Sequence, residues 1–135
     1  MNKIMLNKIK IILITAIMML SITTPVFADL INGSYRYVFE FKQRIQIKRI
    51  AQCKKNATVE LLSMTTWGGE SKLKVLCYKN GIVKDTLVST KKIAKSSSSR
   101  KVTFSNLNGS YKFFIGKDIS NKTKTVMGSG KLTAK

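Results

Sequence analysis

Histidine is absent from this 135-residue chain, and acidic residues number only six. Without an imidazole there is no Ser-His-Asp or Cys-His catalytic site and no histidine metal ligand. Six scattered carboxylates leave little for an oxygen-ligand metal cage. Cysteine occurs twice, at Cys53 and Cys77, which without histidine is too few for a tetrahedral zinc site. Tryptophan occurs once, at Trp67, and proline once, at Pro25. No glycine-rich loop leads a strand into a helix, as phosphate-binding motifs require. The longest apolar run falls short of the roughly 20 residues that span a bilayer as a helix. These absences imply a non-enzyme with no catalytic residues, no metal and no cofactor.

What is abundant is positive charge. Lysine and arginine total 25, for a net charge of +19, and lysine outnumbers arginine 21 to 4. The lysine, isoleucine and asparagine bias matches an AT-rich genome, as in low-GC Gram-positive bacteria, so codon drift accounts for part of the lysine excess. Residues 1–28 read as a secretory signal. Lys3, Lys8 and Lys10 form a positive start, and Ile11 to Ile22 are almost wholly apolar. Pro25 then breaks the run, and Val26-Phe27-Ala28 supplies a cleavage site before Asp29. Removal leaves 107 residues as one domain, 29–135, with 22 basic and six acidic residues, a net charge of +16. The C-terminal residues carry no apolar tail or sorting motif, so the expectation is a protein released outside the cell or held to the wall without a covalent bond.

The remainder has strand periodicity. Tyr35, Tyr37, Phe39 and Phe41 alternate with Arg36, Val38, Glu40 and Lys42, and Ile45 and Ile47 keep the same parity. Further strands are expected over 57–66, 72–79, 82–90, 101–105, 111–116 and 123–132. Gly68-Gly69, Asn80-Gly81, the Ser96–Ser99 run and Asn108-Gly109 separate them. Seven or eight short strands with regular turns predict an all-β fold, a small antiparallel β-sandwich of jelly-roll or immunoglobulin-like type. On most strands the apolar residues share one parity and the cations the other, the pattern of a sheet with one buried and one wet face. An ordinary wet face mixes lysine with glutamate; this one does not. One internal echo is present: residues 31–39 (INGSYRYVF) parallel residues 107–115 (LNGSYKFFI), which is read as two strands sharing one initiating turn.

In an exported chain the two cysteines pair by default, and closing a loop of about 25 residues stabilises by roughly 3.5 kcal/mol in the chain-entropy model. The alternative is two buried free thiols. Trp67, in an expected loop, either serves as a surface aromatic for a sugar or a membrane interface or caps the core. Ser-x-x-Lys occurs at Ser71/Lys74, Ser89/Lys92 and Ser98/Lys101, at about chance frequency and on no helix, so it is set aside. Glu60, Glu70 and Asp85 fall on different elements and form no expected carboxylate pair.

Residues 76–81 (LCYKNG), 104–111 (FSNLNGSY) and 128–132 (GSGKL) follow one another in an order that resembles the secreted bacterial pre-peptidase C-terminal β-sandwich. Leu107-x-Gly109-x-Tyr111 also resembles the tyrosine corner of immunoglobulin-like domains. The resemblance implies a β-sandwich that binds polymer rather than catalyses. The acidic calcium cluster of some members has no counterpart here. Charge points the same way, to a secreted binding module for anionic polymer, either teichoic acid or anionic lipid. The polyanion contacts are expected at Arg44, Lys48, Arg49, Lys54, Lys55, Lys91, Lys92, Lys95, Arg100 and Lys101. A secreted antibacterial protein acting on a competitor's envelope, with Trp67 or Phe114 inserting, is the alternative. Non-specific nucleic-acid binding is a third.

Overall fold

The computed structural model describes residues 30–119 and 123–135, and every regular element in it is a strand. The expected signal segment, residues 1–28, lies outside the described residues. Ten strands form: β1 Leu30–Ile31, β2 Gly33–Phe41, β3 Arg44–Gln46, β4 Ile50–Cys53, β5 Asn56–Trp67, β6 Lys72–Lys79, β7 Thr86–Ala94, β8 Lys101–Ser105, β9 Gly109–Lys117 and β10 Val126–Ala134. They make two sheets of a β-sandwich. The six-stranded sheet runs β1-β4-β9-β6-β7, with β3 also paired to β9, and the four-stranded sheet runs β2-β10-β5-β8. All pairs are antiparallel except β1 with β4.

The strand count exceeds the expected seven or eight because β1, β3 and β4 are short pieces of two to four residues. The alternation from Tyr35 to Ile47 is not one strand. The chain leaves β2 at Phe41, crosses at Lys42-Gln43 and enters the other sheet as β3. The parity survives the crossing because both sheets turn their apolar faces to one core.

That core is filled from both sides. Phe104 of β8 and Phe113 of β9 come from different sheets, and their ring centroids lie 5.4 Å apart. Leu73, Val75 and Ile115 of one sheet and Val59, Val126 and Leu132 of the other are fully buried around them. Each such side chain contributes on the order of 1.5–3 kcal/mol by leaving water. Tyr35, Tyr37, Phe39 and Phe41 form a ladder along β2 with successive centroids 6.1, 6.0 and 5.9 Å apart. Gly130 and Gly128 lie opposite Tyr37 and Phe39 on β10. A Cβ at Gly130 would fall 2.5 Å from the Tyr37 hydroxyl oxygen, so the ring occupies the space a side chain would take.

The echoed turns are the same turn. Gly33 and Gly109 have φ of +118° and +121°, a conformation that L side chains rarely adopt, and each opens a strand. The Tyr111 hydroxyl accepts from the Asn108 N–H at 3.0 Å and donates to the Asn108 carbonyl at 3.3 Å, which is tyrosine-corner bonding. The expected strand 82–90 starts only at Thr86. Residues 80–85 form a loop instead, because Gly81 packs against the Lys84 carbonyl where any Cβ would collide.

Candidate anion-binding face

The wet face of the six-stranded sheet is where strand pairing concentrates cations. Residues 72, 74, 76 and 78 of β6 share the face opposite buried Leu73, Val75 and Cys77. Register then builds rows across the sheet. Arg44 of β3 stands opposite Gly116 of β9, Gly116 opposite Lys74 of β6, and Lys74 opposite Lys92 of β7. The next row is Gln46, Phe114, Leu76 and Thr90, and the row beyond contains Lys112 and Tyr78.

Apolar groups floor this face. Phe114 and Tyr78 meet edge to face with centroids 5.2 Å apart, and the Arg44 guanidinium lies 4.8 Å above the Phe114 ring. Leu76, opposite Phe114, is only 8% exposed. Gly116 lets the Arg44 and Lys74 stems lie close to the sheet: a Cβ there would fall 3.1 Å from Arg44 Cβ and 3.8 Å from Lys74 Cε.

Charge on this face is only partly compensated. Lys92 pairs with Asp118 at 2.9 Å, and Lys112 pairs with Asp85 at 2.9 Å. The Lys112 bond and the Gly81 N–H hold the Asp85 carboxyl below its usual range. Among the described residues, Arg44, Lys72 and Lys74 have no carboxylate partner. Like charges directly opposite one another, as at Lys74 and Lys92, repel and destabilise a bare sheet.

The ten cations expected as polyanion contacts, in the clusters Arg44/Lys48/Arg49, Lys54/Lys55, Lys91/Lys92/Lys95 and Arg100/Lys101, lie on several parts of the surface. Arg44 and Lys92 stand on the face just described. Lys48 lines a cavity of about 640 Å³ beside β2, with Arg36, Tyr35, Tyr37 and Ile45. The Tyr37 hydroxyl is buried with no hydrogen-bond partner among the described residues, and burial, then the Glu60 charge, raises its pKa. Arg49 stacks on Tyr35 at 5.5 Å. Lys54 and Lys55 form the turn between β4 and β5, and their N–H groups donate to the Lys135 main-chain oxygen. Lys91 points the other way from Lys92. Its ammonium donates to the Thr103 carbonyl at 2.6 Å, bridging β7 and β8. Lys95 lies in the turn after β7, and Arg100 donates to its carbonyl. Lys101 stands opposite Glu60 on the other sheet. Lys72, Lys74, Lys112 and Tyr78 belong to the face and were not among the expected contacts.

Two expectations about single residues are corrected. The Cys53–Cys77 disulfide is not formed; both are free, buried thiols. Cys53 sits opposite Gly109 on one flank of β9, and Cys77 opposite Phe113 on the other. Two inter-strand spacings, about 9.5 Å, already exceed the roughly 7 Å between Cα atoms that a disulfide can bridge. Burial pushes the Cys53 thiol up to about 11, and burial, with a smaller effect from Cys53, pushes Cys77 up to about 12. Trp67 is not a surface aromatic. It ends β5, is 7% exposed and caps the core beneath the Arg100 guanidinium, 5.2 Å from its ring.

Glu60, Glu70 and Asp85 stay apart. Glu60 is on the wet face of β5, Glu70 accepts from the Ile119 N–H and Asp85 belongs to the β6–β7 loop. Ser89 and Lys92, three apart on one strand, face opposite sides.

No protein-family model matches this sequence, and no curated protein matches it. Among solved structures, the chain is similar to PliG of Aeromonas hydrophila, a periplasmic inhibitor of g-type lysozyme, with 11% identity and a TM-score of 0.46. The match covers 76% of this chain and 86% of that one. A likeness of this size bears on neither ligand nor partner. The resemblance to pre-peptidase C-terminal domains likewise extends to the β-rich fold and no further.

Proposed function

We propose that this protein is an exported, non-enzymatic binding module for anionic polymer of the cell envelope, with teichoic acid as its ligand. The observation that carries this reading is the row Arg44, Gly116, Lys74 and Lys92, flanked by Lys72 and Lys112 and floored by Phe114 and Tyr78. A repeating phosphate chain laid across the strands, which are about 4.8 Å apart, meets Arg44 of β3, passes over Gly116 of β9, and meets Lys74 of β6 and Lys92 of β7. The ligand need not present a particular shape, because lysine acts as a point charge rather than a bidentate fork. The net charge of +16 on residues 29–135 supplies the long-range attraction that brings a polyanion to this face.

Co-sedimentation with Gram-positive cell walls, with and without their teichoic acids, tests the reading. Pelleting is expected at low salt, and it is expected to vanish at high salt or when teichoic acid is stripped. Equal pelleting with stripped walls would refute it. Preferential binding of single-stranded nucleic acid in competition would transfer the face to that ligand.

A further inference from the structure

The loop between β6 and β7 projects two apolar side chains into water. Ile82 is 106% exposed and Val83 98%, so neither packs on the protein. Single exposed apolar residues are ordinary. An adjacent fully exposed pair at a hairpin tip is not, and this tip is held rather than slack. Asp85 accepts from the Gly81 N–H at 3.1 Å and from Lys112 at 2.9 Å, and the Asn80 N–H donates to the Ser110 carbonyl at 2.8 Å.

The surroundings of the tip are cationic. Lys79 and Lys84 flank it and are exposed. Strand register brings further lysines to the same end of the sandwich. Lys79 pairs with Tyr111 near the start of β9, and Gly109 at that start pairs with Cys53 at the end of β4. Lys54 and Lys55 follow Cys53, and both bond the main-chain oxygen of Lys135. Five exposed lysines, at 54, 55, 79, 84 and 135, therefore share one end with the apolar tip. Among the described residues, Asp85 is the one carboxylate side chain at that end, and Lys112 neutralises it. Glu40, Glu70 and Asp118 lie toward the opposite end.

We propose that this end docks on an anionic lipid bilayer, with Ile82 and Val83 entering the headgroup–acyl boundary and the five lysines meeting the lipid phosphates. An apolar point ringed by cations matches a membrane interface in both layers: hydrocarbon below and negative headgroups above. Neither the tip nor the five lysines belong to the polymer-binding face, so the two activities fail separately.

The test is flotation of the protein with vesicles of phosphatidylcholine alone or mixed with phosphatidylglycerol. Binding to the mixed vesicles only is expected. Ile82→Ser with Val83→Ser removes no internal packing, and it should weaken binding about tenfold to a hundredfold for each side chain. Lys54→Gln with Lys55→Gln should weaken it about fivefold per residue. In a third variant, Val83→Trp, emission should shift to the blue on binding and be quenched by acyl-chain-brominated lipid. Trp67 is buried and gives a constant background. Unchanged binding in the double serine variant, or an unshifted Val83→Trp emission with bound vesicles, overturns the proposal. So does self-association lost in the serine variant without any vesicle binding, which would make the tip a contact between copies of this chain.

Discussion

Replacing Lys74 with glutamine removes the central charge of the row on the six-stranded sheet while keeping the length of its stem. Among the described residues, Arg44, Lys72 and Lys74 carry cations on this face without a carboxylate partner, so these three are available to a polyanion without breaking an ion pair. Each phosphate neutralised on a single-stranded polyanion contributes about −0.7 to the slope of log affinity against log salt. Three contacts predict a slope of about −2.1, or roughly 130-fold weaker binding for a tenfold rise in salt. Lys74→Gln should reduce the slope to about −1.4, roughly 25-fold over the same range. Fluorescence anisotropy of labelled teichoic acid, titrated at several salt concentrations, reads both slopes. Lys101→Gln, on the other sheet, serves as the control. If Lys74→Gln leaves the slope where it was while Lys101→Gln lowers it, the binding face has been misassigned.

Three other predictions concern the scaffold. Gly130→Ala should destabilise by about 1–3 kcal/mol in urea unfolding, because its Cβ meets the Tyr37 hydroxyl at 2.5 Å and the Glu60 carbonyl at 2.6 Å. Tyr111→Phe should lose about 1 kcal/mol through its two bonds to the Asn108 main chain, and an unchanged unfolding midpoint would show that the corner contributes nothing. Both thiols should resist alkylation in the folded protein near neutral pH and react in denaturant without any reductant; a failure to react there would mean a disulfide. Their raised pKa values favour the protonated form in the folded state. That stability is fully present below the unfolded thiol value of about 8.5 and is lost as pH rises through the folded values of about 11 and 12. Thermal melting should therefore fall progressively on the alkaline side.

Much of the fold was legible because strand structure is written locally. The alternation of Tyr35 to Phe41, of Lys72 to Lys79 and of Lys101 to Ser105 names both the strands and their buried faces. Gly33 and Gly109 mark strand-initiating turns because a positive φ excludes most other residues. Local signals also mislead where one motif serves two geometries. Asn80-Gly81 signals a tight hairpin, yet here the glycine admits the Lys84 carbonyl and opens a loop. Trp67 borders a glycine pair, as a loop residue would, but it belongs to the strand and caps the core.

The sequence by itself determined the strands, their wet and dry faces, the excess of positive charge and the lack of histidine chemistry. Tertiary structure alone decided who stands beside whom. Arg44, Lys74 and Lys92 are far apart along the chain, and Lys91 and Lys92 are adjacent in it, yet the first three share a row while the last two face opposite sides. Cys53 and Cys77 share the apolar parity a disulfide would need, but β9 stands between them. The physical reason is that side-chain alternation is a property of each strand's own backbone. Strand order and register depend instead on long-range pairing, settled only when both sheets close on one core.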